Sequence, residues 1–152
     1  MAHKGRFGEQ VHCEVAPDKK AQQRLSVGPL EESWDELSEL AKDLFAWVGE
    51  GFSIAALRKQ IAPATYEVGW KQLKLIEALM SGVLRCEQVK VVSVVGPLKD
   101  LNGLRVGYAH NLAKPPQALS FNFENLGVRE SWFLVVDGVE AGLDSLSDCI
   151  TQ

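Results

Sequence analysis

Apolar positions between residues 31 and 48 recur every three or four places: Trp34, Leu37, Ala41, Leu44 and Val48 share one stripe. Glu31, Glu32, Asp35, Glu36, Glu39 and Asp43 stand on the opposite face. That period predicts an amphipathic helix over 31–48. Ser33 followed by Glu36 has the capping-box spacing, and Gly49 or Gly51 predicts a left-handed stop. A second, short helix is predicted over 54–61, with Ser53 as N-cap and Phe52 and Leu57 as the two ends of a hydrophobic staple; Pro63 ends it. A third helix is predicted over 64–84. Its stripe of Gly69, Leu73, Ile76, Met80 and Val83 is widened by Val68, Leu75 and Leu79, so only a narrow strip faces water and a central position is expected.

From Val89 the period shortens to two and the residues become β-branched or aromatic: VKVVSVV, LRVGYAH, ALSFNF, SWFLVV. Four strands follow from this reading, over 89–95, 104–110, 118–124 and 131–136. Their short connections suit antiparallel pairing. Val139, Leu143, Leu146 and Ile150 return to helical spacing and predict a short helix over 139–149, with Gly142 as a weak point inside it. Residues 1–28 hold no sustained period and carry five Lys or Arg against three Asp or Glu, which reads as a flexible or loosely docked arm. The expected fold is therefore α+β: one domain over 29–152, in which a three-helix N-terminal part packs on a four-stranded, mostly antiparallel sheet and a short C-terminal helix follows.

The stretch GPLKDLNGLRVGYAH, residues 96–110, has the glycine content of a phosphate loop. It lacks the Lys-Ser/Thr of a Walker loop and the GxGxxG of a dinucleotide loop. Asn102-Gly103 instead carries the two-residue hairpin signal, so these glycines are assigned to turns, with positive φ expected at Gly103.

Composition changes the picture little. The chain has 152 residues, 46% hydrophobic and 24% charged, and a formal net charge of −4, so the molecule as a whole does not attract phosphate polymers or anionic membranes. The longest apolar run is WFLVV, and the N-terminal residues show no secretory h-region. Three widely spaced cysteines, Cys13, Cys86 and Cys149, make no CxxC motif and no closed disulfide set. A cytoplasmic protein is the expectation.

Candidate chemistry is sparse. Cys86, His110 and Asp100 offer a conceivable nucleophile, base and orienting acid for a small cysteine-dependent enzyme, but nothing in the linear order brings them together. His3, His12 and Cys13 are a poor tetrahedral set, and Asp137, Glu140, Asp144 and Asp148 lack the calcium-loop spacing and read as a solvated helix face. No metal and no cofactor are expected.

Two surfaces stand out. Trp34 and Trp47 are thirteen residues apart and so point about 140° from each other around one helix. Trp47, beside Phe45, Glu39 and Asp43, is the candidate anchor for a protein partner or a second copy. A non-enzymatic protein-binding or regulatory module is the leading expectation. The second surface is cationic: three helices followed by a hairpin is also the chain order of a winged helix, with Lys71, Lys74, Arg58 and Lys59 near a duplex and Lys99 and Arg105 on the wing. Against this nucleic-acid reading, Glu67 precedes Lys71 by four residues, the spacing of an intrahelical ion pair.

Overall fold

In the computed structural model, residues 18–63, 66–110 and 119–151 are described, the side chains of 108–110 excepted. Helices α1 (Lys19–Val27), α2 (Trp34–Val48) and α3 (Ile54–Gln60) come first. Then α4 (Gln72–Ala78) runs into a π turn (Leu79–Val83), and α5 (Gln88–His110) and α6 (Phe123–Thr151) complete the order. No sheet is present among the described residues, which overturns the α+β expectation: the fold is all-α.

The reason lies in the length of the hydrophobic pattern. Val91, Val94, Val95, Leu98, Leu101 and Leu104 are all buried, and their spacing of three and four continues through the supposed hairpin at Asn102-Gly103. Exposed Val89 and Val92 add apolar residues to the outer face, so a short window shows alternation where a longer one shows a helix. The expected strands 89–95 and 104–110 are thus two parts of α5. Gly103 does not adopt positive φ; an added Cβ there would meet Leu119 Cδ2 at 2.9 Å, so the glycine serves close packing.

Likewise, the buried set Val128, Ser131, Trp132, Val135, Val139, Gly142, Leu143, Leu146 and Ile150 crosses from the expected strand 131–136 into the expected helix 139–149 without a break in phase. Both belong to α6. The expected strand 118–124 falls partly outside the described residues, and its end, Phe123, opens α6. Within the region read as an arm, Lys19–Val27 is helical, Asp18 Oδ1 accepts the Ala21 N–H at 2.8 Å, and Leu25 is buried. Residues 1–17 lie outside the described residues.

The N-caps work as their residue types require. Ser33 Oγ accepts from Glu36 N–H at 3.3 Å, and Ser53 Oγ from Ala56 N–H at 3.1 Å. Glu36 reaches back past the cap, accepting the Leu30 and Glu31 N–H groups at 2.7 and 3.2 Å. Gly49 caps α2 in the right-handed region rather than as a left-handed stop; an added Cβ would lie 2.6 Å from the Phe45 ring.

Helix α5 is the hub, packed on α2, α4 and α6. Its contact with α6 is close because α6 presents glycine. A Cβ at Gly142 would meet Ser93 O and Val94 Cα at 3.2 Å, and one at Gly138 would meet Pro97 Cγ at 3.0 Å. Pro97 also frees the Ser93 carbonyl from its intrahelical amide.

The left-handed Gly127 (φ 78°) kinks α6, and the Val128 N–H beyond the kink donates to Glu32 Oε2 at 2.8 Å. Glu32 therefore caps the restarted helix from the α1–α2 loop, 96 positions away. Glu32→Ala is expected to cost about 1 kcal/mol, the usual value of a lost N-cap, with Glu32→Gln losing less; chemical denaturation measures both.

Candidate functional site

Arg58, near the end of α3, donates from Nη2 to the carbonyls of Val68 at 2.6 Å and Trp70 at 3.5 Å, and its guanidinium lies 5.8 Å from the Tyr66 ring centre. Two carbonyls on one guanidinium tie the non-helical stretch 66–70 back onto α3. That tie delivers Lys71 and Lys74 to a common cleft, since α4 starts immediately after it. Gln72 Nε2, donating to Phe52 O at 3.4 Å, fixes the same corner.

The opposite wall comes from α5. Arg105 lies 4.5 Å over the Phe45 ring and donates from Nε to Asn102 Oδ1 at 2.7 Å. Such stacking and bonding orient the guanidinium, leaving its outer N–H groups for a ligand. The cleft between the walls has a volume of about 300 Å³ and is lined by Phe45, Glu50, Gly69, Lys71, Gln72, Leu73, Lys74, Asn102 and Arg105. Three cations against one carboxylate give the lining a formal charge of +2, the opposite sign to the chain's −4. Lys74 Nζ lies 5.7 Å from the Trp70 ring centre, so an aromatic face borders the cations. No ion pair is made by Lys71, Lys74 or Arg105 among the described residues.

Three of the six residues named for nucleic acid thus meet in this cleft. Arg58 builds it from behind, Lys59 is exposed on α3, and Lys99 pairs with Glu77 at 3.4 Å. The wing expected to carry Lys99 and Arg105 does not exist, because both sit on α5. Glu67 and Lys71 are not on one helix: Lys71 is the N-cap residue of α4, and the anticipated intrahelical pair is not formed.

The acidic face of α2 is engaged within the chain. Arg24 of α1 reaches Glu39 at 3.5 Å and Asp43 at 3.7 Å, and Lys42 reaches Asp43 at 3.5 Å. Phe45 is buried under Arg105, and Trp47 is half-buried against the core with its indole N–H enclosed and unpartnered.

Cys86 and Asp100 are separated by about half of α5, on the order of 20 Å at 1.5 Å per residue. Asp100 is buried and accepts from Ser120 N at 2.8 Å and from Ser120 Oγ, which ties α5 to the approach of α6. Burial first, then the hydrogen bond with Cys149, holds the Cys86 thiol above its ordinary pKa, the opposite of an activated nucleophile. The side chain of His110, like His3, His12 and Cys13, lies outside the described residues. Asp137, Glu140, Asp144 and Asp148 line the exposed face of α6, and the described residues contain no group of three metal-ligating side chains. No described helix is long and apolar enough to cross a membrane. Compared with protein-family models, curated proteins and solved structures, the chain matches none, so the chemistry of the cleft is read from its own residues.

Proposed function

We propose that the protein binds an anionic, phosphate-bearing ligand in the cleft between α4 and α5, and that this ligand is an unpaired nucleic-acid strand. The observation that carries the reading is the convergence of Lys71, Lys74 and Arg105, from two separate parts of the chain, on one cleft without ion-pair partners. Cations held together unneutralised repel one another, and a phosphate offsets that cost. The concave shape disfavours a duplex, whose grooves are read by a protruding helix or ribbon. An extended strand fits, with phosphates on the cations and bases against an aromatic face such as Trp70. We place this work in the cytoplasm, in keeping with an odd number of cysteines and no CxxC motif.

The test is fluorescence anisotropy of a labelled single-stranded oligonucleotide. Three phosphate contacts give a slope of log K against log salt of about −2 for a single strand, so raising salt from about 50 to 200 mM weakens binding roughly 15- to 20-fold. The double reversal Lys71→Glu/Lys74→Glu removes binding at low salt while leaving the thermal unfolding midpoint in place, because both lysines are exposed. Binding that ignores salt, or survives the double reversal, overturns the reading.

A further inference from the structure

The elbow between the π turn and α5 holds Cys86 by its backbone: Arg85 turns through a left-handed φ of 51°, and the Cys86 N–H donates to Met80 O at 2.8 Å. Sixty-three positions later, Cys149 lies in the last turn of α6. Its sulfur is 3.9 Å from that of Cys86, and both residues are partly exposed. Lys90, in the first turn of α5, sits beside Cys149. That neighbour raises the lysine's own pKa, through their hydrogen bond first and their charge attraction second, so the ammonium is kept next to this sulfur.

We infer that Cys86 and Cys149 are a redox-sensitive pair that closes to a disulfide in exchange with a low-molecular-weight disulfide. A bonded pair needs the sulfurs about 2.05 Å apart, and both side chains have the solvent access that the exchange requires. The order of events follows from the surroundings. The Cys149 thiolate, facing the Lys90 ammonium, attacks the small disulfide; its S–S bond breaks, a mixed disulfide forms on Cys149, and one small thiol leaves with the proton Cys149 gave up. Cys86 then loses its proton and attacks the Cys149 sulfur, releasing the second small thiol. Two protein thiols are oxidised and one small disulfide is reduced to two thiols. The second step quickens as pH rises, because burial holds the Cys86 thiol protonated.

The consequence is a covalent tie between the C-terminus of α6 and the start of α5. In a reducing compartment such a pair stands open and closes when small disulfides accumulate. It lies on the order of 25 Å along α5 from Arg105, so its test is independent of the cleft.

The protein is incubated with oxidised glutathione at mildly alkaline pH, quenched with an alkylating reagent and digested without reductant for mass spectrometry. The expected product is a peptide of residues around Cys86 joined to one around Cys149, two hydrogens lighter than the sum and separated by dithiothreitol. Cys86→Ser accumulates the glutathione adduct on Cys149, whereas Cys149→Ser leaves Cys86 mostly reduced; Lys90→Gln slows adduct formation severalfold. Glutathione adducts on the wild-type chain without the cross-link, or cross-links only between two molecules, overturn the inference.

Discussion

Trp132→Ala is expected to lower the unfolding free energy by about 3–5 kcal/mol, the range for truncating a large buried aromatic. Trp132 is 0% exposed, and its effect extends beyond lost area because it holds α1 in place. The indole N–H donates to the Leu25 carbonyl at 3.2 Å. Leu25 is in the last turn of α1, where carbonyls need partners beyond the helix, and the residue four places on is Pro29, which has no N–H to give. Gly28, with φ 78°, lies so close to the ring that an added Cβ would be 2.7 Å from Trp132 Cδ1. Trp132→Phe separates the two contributions: it keeps most of the ring and abandons the Leu25 carbonyl, at about 1–3 kcal/mol for an unsatisfied buried acceptor. Urea denaturation measures both variants. A loss for Trp132→Ala no larger than that of a surface substitution would mean that α1 does not depend on the indole.

The helices legible in the sequence are those with a clean stripe and a polar opposite face. Ser33 and Ser53 mark the starts of α2 and α3, and both serve as caps. Helices α5 and α6 were obscured by residues of two kinds. Exposed Val89, Val92 and Leu134 put apolar side chains on solvent faces, and Gly96, Pro97, Gly103 and Gly107 imitate turn punctuation inside a continuous helix. At Gly103 and Gly107 the physical role is tight packing: an added Cβ would collide with Leu119 and Trp34, so these two glycines let α5 approach its neighbours, which a propensity scale counts only as a cost.

For the site, the residue types were legible and their meeting was not. Lys71, Lys74 and Arg105 stand out by charge, but the fold of 66–70 under Arg58 decides where the lysines go, and backbone carbonyls leave no mark in a sequence. The supposed Glu67–Lys71 pair failed for the same reason, since it presumed a helix that begins only at Gln72. The Cys86–Cys149 approach depends on α5 and α6 lying side by side, which the strand reading ruled out.

Gly107→Val tests that packing argument directly, with an expected cost of about 3 kcal/mol from overpacking. Gly107 is buried near the end of α5, and a Cβ there would run into the Trp34 indole, nearest at Cζ2. Trp34 cannot easily give way: it opens α2, and its ring meets Phe123 edge-on at 5.9 Å and 77°. Elsewhere in a helix, replacing glycine by alanine gains about 1 kcal/mol of propensity; at Gly107 the collision outweighs it, so Gly107→Ala is also expected to destabilise. Gly96 on the same helix supplies the control, because an added Cβ would find only Val92 Cγ1, at 4.0 Å. Gly96→Ala should therefore raise the unfolding midpoint while Gly107→Ala lowers it. Opposite signs at two glycines of one helix follow only if α5 is continuous and lies against α2 through Trp34; a hairpin at Asn102-Gly103 would give the two positions no such relation.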